Sequence, residues 1–498
     1  MISNIFHKLI KLEYLDISFN NTTGQVPSSL FHLTQLSYLD LSFNKLVGPI
    51  PIEINKLSKL STVDLNNNML NGTIPHWCYY LSSLLELYLS DNHLTGSIGE
   101  FSIYSLQKLL LSNNKLQGHF PNSIFKFQNL TYLGLSSTNL NGDVDFHQFS
   151  KFKKLTFLDL SHNNFLSINI DSSVDSISPN LDSLYLSSSN INSFPNFLAQ
   201  LQNLQELDLS NNIIQGKVPK WFHEKLLHTW RDIRHIDLSF NKLQGDLPIP
   251  PYGIQYFSLS NNNFSGDIAS SLCNASSLTM LNLAHNNLTG MIPQCLGTFS
   301  SLSILDMQMN NLYGSLPSTF SKGNTFETIK LNGNQLEGPL PQSLAQCLNL
   351  EVLDLGDNNI KDTFPNWLET LQELHVLSLR SNKLHGAITC SSTKHTFPKL
   401  RIFEVSNNNF SGPLPTSCIK NFQGMMNLND SQIGLQYMGK ANYYNDSVVV
   451  IMNGFSMELT KILTTFTTID LSNNMFEGEI SEVIGELKFS QRPELFKQ

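Results

Sequence analysis

The chain has 498 residues, of which only 14% are charged, and its formal net charge is −9. That balance excludes a nucleic-acid partner, because phosphate backbones demand a basic face and no Lys/Arg cluster supplies one. No stretch approaches the ~18 consecutive apolar residues that cross a bilayer, and the longest candidate, 448–452, is far too short.

The opening stretch MISNIFHKLIKLEYLDISFN does not read as an export signal. Lys8 and Lys11 interrupt its apolar run, and a repeat begins at once. From there one pattern, LxxLxLxxNxLxGxIP, runs along the chain, as in LTMLNLAHNNLTGMIP at 278–293. Its Asn falls at 20, 44, 68, 92, 114, 163, 212, 241, 262, 286, 310, 334, 358, 382, 408 and 474. Thr138 and Ser189 take the Asn slot in two further repeats, about eighteen in all. The commonest step, 24 residues, lies in the leucine-rich-repeat range of about 20–29. A repeat array grows in one dimension, so this length need not mean several globular domains.

Each position has a physical role. In Leu39–Asp40–Leu41 strand alternation sends both leucines inward and Asp40 to the outer face. Each buried Leu contributes roughly 1.5–3 kcal/mol once a neighbouring repeat covers it. Asn44 marks the bend after the strand, where its amide can satisfy backbone groups in its own and the next repeat. Hydroxyls at Thr138 and Ser189 do only part of this, so those rungs are weaker. Gly48 and Pro51 supply turn chemistry on the far side. The expected fold is an α/β repeat solenoid, a leucine-rich-repeat superhelix with a concave parallel β-sheet.

Taken along the chain, few motifs suggest chemistry. His76–Trp77–Cys78 lacks further ligands at metal-site spacing. His223–Glu224–Lys225–Leu226–Leu227–His228 is one residue longer than a zinc-binding HExxH helix. Its i,i+5 histidines lie about 140° apart instead of about 40°, so a surface helix is expected. No phosphate loop, kinase catalytic motif or serine nucleophile elbow occurs, and neither an enzyme nor a cofactor is expected. Asp recurs at the middle strand position (Asp16, Asp40, Asp64, Asp159, Asp208, Asp237, Asp306, Asp354, Asp470), an ordinary feature of such repeats. Recognition surfaces vary where scaffolds do not. The places where the outer face departs from Asp and Ser, namely Met307, Gln308, Met309, Lys330, Asn332 and Arg380 together with Glu404, are therefore the expected binding strip.

Cys273 and Cys295, one repeat apart, can meet the ~5.5 Å Cα spacing of a disulfide in stacked coils, as can Cys390 and Cys418. Cys78 and Cys347 have no such partner and read as buried thiols. Glycosylation sequons at Asn20, Asn21, Asn71, Asn129, Asn263, Asn274, Asn287, Asn409, Asn429 and Asn445 fit an exported glycoprotein.

The rhythm breaks once. Asn408 and Asn474 stand 66 residues apart where one repeat needs about 24, so roughly 42 residues are extra. Within them SVVVIM and FSMEL flank Asn453–Gly454, the strongest short hairpin signal. Tyr437, Tyr443 and Tyr444 add aromatics expected to be exposed. The insertion is expected to fold and to project from the solenoid, either as a recognition element or as an inert structural insert. The resulting organisation is repeats over 1–417, an insertion over 418–464, a further repeat over 465–487 and a non-repeat tail over 488–498.

The LxGxIP half of the repeat is similar to the plant-specific class of extracellular leucine-rich repeats. The insertion, with Cys418–Ile419–Lys420–Asn421–Phe422 before it and Glu458–Leu459–Thr460–Lys461–Ile462–Leu463 at its end, resembles the island of plant leucine-rich-repeat receptor-like proteins. The branch it resembles includes Cf-type and Verticillium-wilt resistance proteins. That resemblance implies an ectodomain on the outer side of the plasma membrane. Its implied role is to sense an extracellular peptide or protein ligand in pathogen perception. It also implies an adaptor receptor-like kinase and a co-receptor kinase as partners. By the same resemblance the island and nearby repeats contact ligand or co-receptor, which singles out Tyr437, Tyr443, Tyr444, Asn453, Gly454 and Lys461. One departure is plain: where the family often has Lys-Gly eight residues beyond a Tyr, this chain has Asn453–Gly454. The chain also lacks the family's paired-Cys cap, and Ser481 fills a slot usually held by Pro, so the expectation is an internal piece of such a receptor. Two alternatives remain at this stage: a secreted inhibitor of microbial wall-degrading enzymes, and a truncated product with no function.

Overall fold

The structure, a computed structural model, describes residues 8–54, 57–170, 180–390, 396–426, 437–439, 444–452, 455–480 and 482. Each coil begins with a three-residue strand such as Tyr38–Asp40, whose central Leu39 is fully buried. The chain then turns sharply. The residue before the ladder Asn sits in the left-handed region, as at Phe43 (φ 51°) and Asn67 (φ 54°), a conformation that costs a β-carbon-bearing residue roughly 1–2 kcal/mol.

The ladder Asn offsets that cost with hydrogen bonds. Asn44 Nδ2 donates to Ile17 O in the coil before (2.9 Å) and to Leu41 O and Ser42 O in its own (3.2 and 3.0 Å). Its Oδ1 accepts from Thr22 N at 2.9 Å. The arrangement recurs at Asn68, Asn92, Asn286, Asn358 and Asn382. At the two substituted rungs the hydroxyls donate to carbonyls of their own coil, Thr138 to Leu135 O (2.7 Å) and Ser189 to Ser187 O (3.3 Å), and Thr138 Oγ1 also lies 3.1 Å from Asn163 Oδ1 in the next coil. After the bend a short strand such as Lys45–Pro49 passes through Gly48, whose φ of 80° suits glycine. A 3-10 turn such as Ser28–His32 then closes the coil.

The chain forms two compact units, Met1–Leu243 and Gln244–Gln498. In the first, strands from Tyr14–Asp16 to His235–Asp237 pair in parallel, always in one register, for example Leu39 with Val63. Behind them a second parallel sheet runs from Thr23–Gly24 to Phe165–Asn169. Phenylalanines fill the far side of this unit, with Phe146 stacked on Phe197 at 4.1 Å. The 223–228 motif lies on the helix Lys220–His228, which buries Phe222 and Leu226. These are four residues apart on one face, as a surface helix requires.

In the second unit parallel strands run from Tyr256–Ser258 to Ile402–Glu404, and the next strand in the ladder is Thr468–Asp470. The sheet therefore steps across the insertion as if it were absent. Phe410 N donates to Asn474 Oδ1 at 3.1 Å, the same rung that neighbouring coils make.

Candidate functional site

The insertion does form an antiparallel hairpin, Val448–Met452 with Phe455–Leu459. The turn Asn453–Gly454 lies outside the described residues, as do Tyr443 and Asn429. The hairpin does not project from the solenoid. It folds back over the outer face of the sheet, burying Val448, Val450, Met438 and Ile462 against Val352, Val376 and Ile402. Tyr444 packs separately against Met280 and Ile304. The physical reason is the first residue of each strand. From Met280 to Ile402 that position is Met, Ile, Thr, Val, Val and Ile, so five of these six strands carry an apolar residue on the outer face as well as in the core, and that column needs a cover. A hairpin of two strands is only marginally stable alone, and here it acquires a hydrophobic floor.

Polar contacts fix its position. Tyr444 Oη donates to Asp306 Oδ2 (3.0 Å) and Thr328 Oγ1 to Asp446 Oδ1 (2.9 Å). Lys330 Nζ donates to Ser447 Oγ (2.6 Å), and Arg380 Nη1 to the carbonyl of Val449 (3.1 Å). Arg380 also reaches Asp357 Oδ2 at 2.7 Å. The four bonds to the insertion span 69 to 138 residues of sequence.

The expected binding strip is thus the floor beneath the insertion. Gln308, Lys330, Asn332, Arg380 and Glu404 are all buried, Lys330 and Glu404 almost completely. Met307 lies on the opposite face from the one expected. It occupies the slot of Leu41, one residue beyond the acid, and is fully buried in the core, since one step along a strand reverses the face. Met309 stays partly exposed in the left-handed bend. Of the two described tyrosines singled out in the insertion, Tyr444 is buried and Tyr437 is open (43%), with Lys461 Nζ 5.9 Å from its ring centroid. The sign that the strip would be covered was its apolar first column, not the residues singled out.

The buried seam carries more acid than base. Asp306 lies 3.9 Å from Lys330, and Asp354 and Asp446 stand in the same layer. Burial pushes Asp446 up to about 6, with Thr328 and Lys330 opposing and Asp306 and Glu327 adding to the shift. Burial also raises Asp354, against the hydrogen bond from Gly356 N and the nearby Lys330. Beside this layer a cavity of about 210 Å³ is lined by Ile304, Glu327, Thr328, Glu351, Gly439, Tyr444 and Asp446.

Elsewhere the recurring Asp has a structural use. Asp16, Asp64, Asp208 and Asp237 each accept the backbone N–H two residues on at 2.8–2.9 Å, holding the bend. Disulfides join Cys273 to Cys295 and Cys390 to Cys418, with Cα separations of 5.7 and 5.2 Å, whereas Cys78 and Cys347 are buried thiols. The sequon residues Asn20, Asn21, Asn71, Asn129, Asn263, Asn274, Asn287, Asn409 and Asn445 are exposed. Among the described residues no group of three or more His, Cys, Asp or Glu is placed to hold a metal ion, and no helix is long and apolar enough to cross a membrane.

The comparisons with known proteins agree with this architecture. Family profiles described as leucine-rich repeat match residues 3–46 and 104–165, and 59–81, 203–224, 253–275, 277–299 and 349–371. Receptor-like protein 7 of Arabidopsis thaliana is 46% identical over 373 residues, covering 69% of this chain and 38% of that protein. Receptor-like protein 53 of the same plant is 39% identical over 352 residues, covering 69% and 36%. The chain spans less than half the length of these relatives. Among solved structures, the ectodomain of the receptor kinase GASSHO1/SCHENGEN3 from Arabidopsis thaliana, in complex with CASPARIAN STRIP INTEGRITY FACTOR 2, superposes with a TM-score of 0.67 and 27% identity. That match covers 98% of this chain and 62% of the other. The Arabidopsis receptor kinase HAESA, in complex with the peptide hormone IDA and the co-receptor SERK1, gives 0.59 and 25%, covering 85% and 70%. With its repeats, its ladder and these relatives, the chain belongs to the plant leucine-rich-repeat receptor-like proteins.

Proposed function

We propose that this chain is the ligand-recognition ectodomain of a plant cell-surface receptor-like protein that signals through an adaptor receptor-like kinase and a co-receptor kinase, in pathogen perception. The observation that carries the reading is the fit between insertion and sheet. Three consecutive strands seat the hairpin and the three before them seat the segment that leads into it, a fit that holds the outer side of the insertion in one place. The seated hairpin leaves Tyr437 and Lys461 on its open side, an amphipathic aromatic beside a cation, a pairing suited to protein contacts. HAESA engages a peptide hormone and SERK1 together, and a corresponding arrangement is proposed here.

The test is to export the chain from plant cells behind a secretion leader and measure capture of a SERK1 ectodomain with and without microbial culture filtrates. Filtrate-dependent capture, at least tenfold weaker in the Tyr437→Ala/Lys461→Glu variant, is the expected result. A secreted, protease-resistant chain that captures nothing with any filtrate, or whose variant captures equally well, would count against the reading.

A further inference from the structure

One glycan sequon lies inside the seam that holds the insertion. In Asn445–Asp446–Ser447 the exposed Asn445 stands between buried Tyr444 and buried Asp446, the alternation of an extended chain. The rest of the sequon is spoken for. Asp446 accepts from Thr328 Oγ1 at 2.9 Å, and Ser447 Oγ accepts from Lys330 Nζ at 2.6 Å. Its backbone is held as well. Ile462 N donates to the carbonyl of Asp446 at 3.2 Å. Gly439 packs so closely that a β-carbon there would stand 2.8 Å from Asp446 N and 3.2 Å from Asn445 Cα. By contrast, at Asn71 and Asn263 the hydroxyl residue of the sequon, Thr73 or Ser265, is itself exposed.

Glycan transfer joins Asn Nδ2 to the anomeric carbon of a diphosphate-linked oligosaccharide. The bond from that carbon to the diphosphate oxygen breaks, the diphosphate leaves with the electron pair, and the amide gives up one proton. The transferase must take up the amide and the hydroxyl two residues on together. With the insertion seated, that hydroxyl is held by Lys330, which is 1% exposed.

We propose that Asn445 receives a glycan only while the insertion is unseated, so that occupancy at this one site records how promptly each copy of the chain seats. The seat is ready early, because its strands from Met280–Asn282 to Ile402–Glu404 all precede Asn445. Ile462, which closes the seam, follows Asn445 by 17 residues, about 1–3 s of synthesis at ~5–20 residues per second. A hairpin then closes in about 1–10 μs, so the window shuts soon after this segment emerges. The site rests on the reading of an exported receptor and bears on it. Gly439, two residues from the open Tyr437, is the residue packed on Asn445. A chain that seats promptly keeps that outer side bare, and one that seats late carries a bulky sugar there.

The experiment is to express the full chain in plant cells behind a secretion leader and to measure glycan occupancy at each sequon by peptide mass spectrometry. Wild type is compared with Lys330→Ala and Thr328→Val. These residues stand 117 and 118 positions from their partners in the sequon, so the transferase meets an unchanged acceptor and any effect passes through seating. Wild type is expected to show less than a third of the occupancy at Asn445 that it shows at Asn71 and Asn263. Lys330→Ala should raise Asn445 at least threefold and Thr328→Val by a smaller factor, with Asn71 and Asn263 unchanged. A variant retained by the cell is read on the intracellular chain, which has already met the transferase. Occupancy at Asn445 equal to the other two in wild type, or low and unmoved by both substitutions, overturns the proposal alone. Glycan at no sequon in any of the three chains overturns the exported reading together with it.

Discussion

Two stretches of the outer face make an informative pair. In the second unit the first residue of successive strands is apolar, and charges such as Lys330 and Arg380 find partners on the insertion. In the first unit the corresponding column is Tyr14, Tyr38, Thr62, Glu86, Lys108, Tyr132, Phe157, Ser183, Glu206 and His235, mostly polar or amphipathic groups that tolerate water and contact alike. A face meant for permanent cover becomes as dry as a core. The first unit's column, without such a cover among the described residues, keeps side chains that are stable when bare.

That contrast can be broken by substitution. Lys330→Ala should have the largest effect, because it leaves Asp306 and Asp446 buried without their cation. Removing one partner of a buried pair costs about 3–5 kcal/mol. The insertion should then become sensitive to protease between 427 and 464 while the first unit is unchanged, and equal sensitivity in both proteins would contradict the seam described here. A change in pH should act in the same place with smaller effect. The carboxyl of Asp446 sits at about 6 when seated, above its ordinary value of 3.8. A raised carboxyl binds its proton more tightly in the seated state, so seating strengthens as pH falls through 6 towards 4 and is at its weakest above 6. Amide exchange at Val448–Met452 should slow several-fold from pH 7.5 to pH 5 after correction for intrinsic rates, and Asp446→Asn should flatten the profile. The smallest effect belongs to the first unit's ladder. Ser189→Asn restores the array's ordinary rung and should stabilise by about 0.5–1.5 kcal/mol, read as a rise in the melting temperature; a fall would mean the slot has closed around the smaller residue.

Most of the fold was legible because repeat physics is local. The Leu–x–Leu alternation, the ladder Asn and the Gly of each far-side turn act within one coil and its neighbours, so one coil read correctly gives nearly all of them. The hairpin strands around Asn453–Gly454 were legible for the same reason. The direction of the insertion was not, because it depends on contacts such as Tyr444 with Asp306, 138 residues apart. The sequence nonetheless holds a signal for it. EVLDL at 351–355, HVLSL at 375–379 and RIFEV at 401–405 place an extra apolar residue before the usual alternation, and a strand apolar on both faces is a strand covered on both. Reading Lys330, Arg380 and Glu404 as open recognition residues treated departure from consensus as exposure, when it equally marks an internal seat. Met307 failed for a simpler reason, a register slip of one residue.

The direct pairing of Ile402–Glu404 with Thr468–Asp470 has a consequence for how such an array can change. Since the ladder closes across the insertion, the inserted segment is a loop whose ends are already held together, with Cys390–Cys418 fastening its base. Closing such a loop costs only about 0.6 kcal/mol more for each doubling of its length. Loop length is thus nearly neutral for the scaffold, and selection on the insertion is left mainly to the fit of its underside and the chemistry of its outer side. Those two surfaces can evolve at different rates on one insertion: the underside slowly, tied to six strands, and the outer side as fast as its partners require.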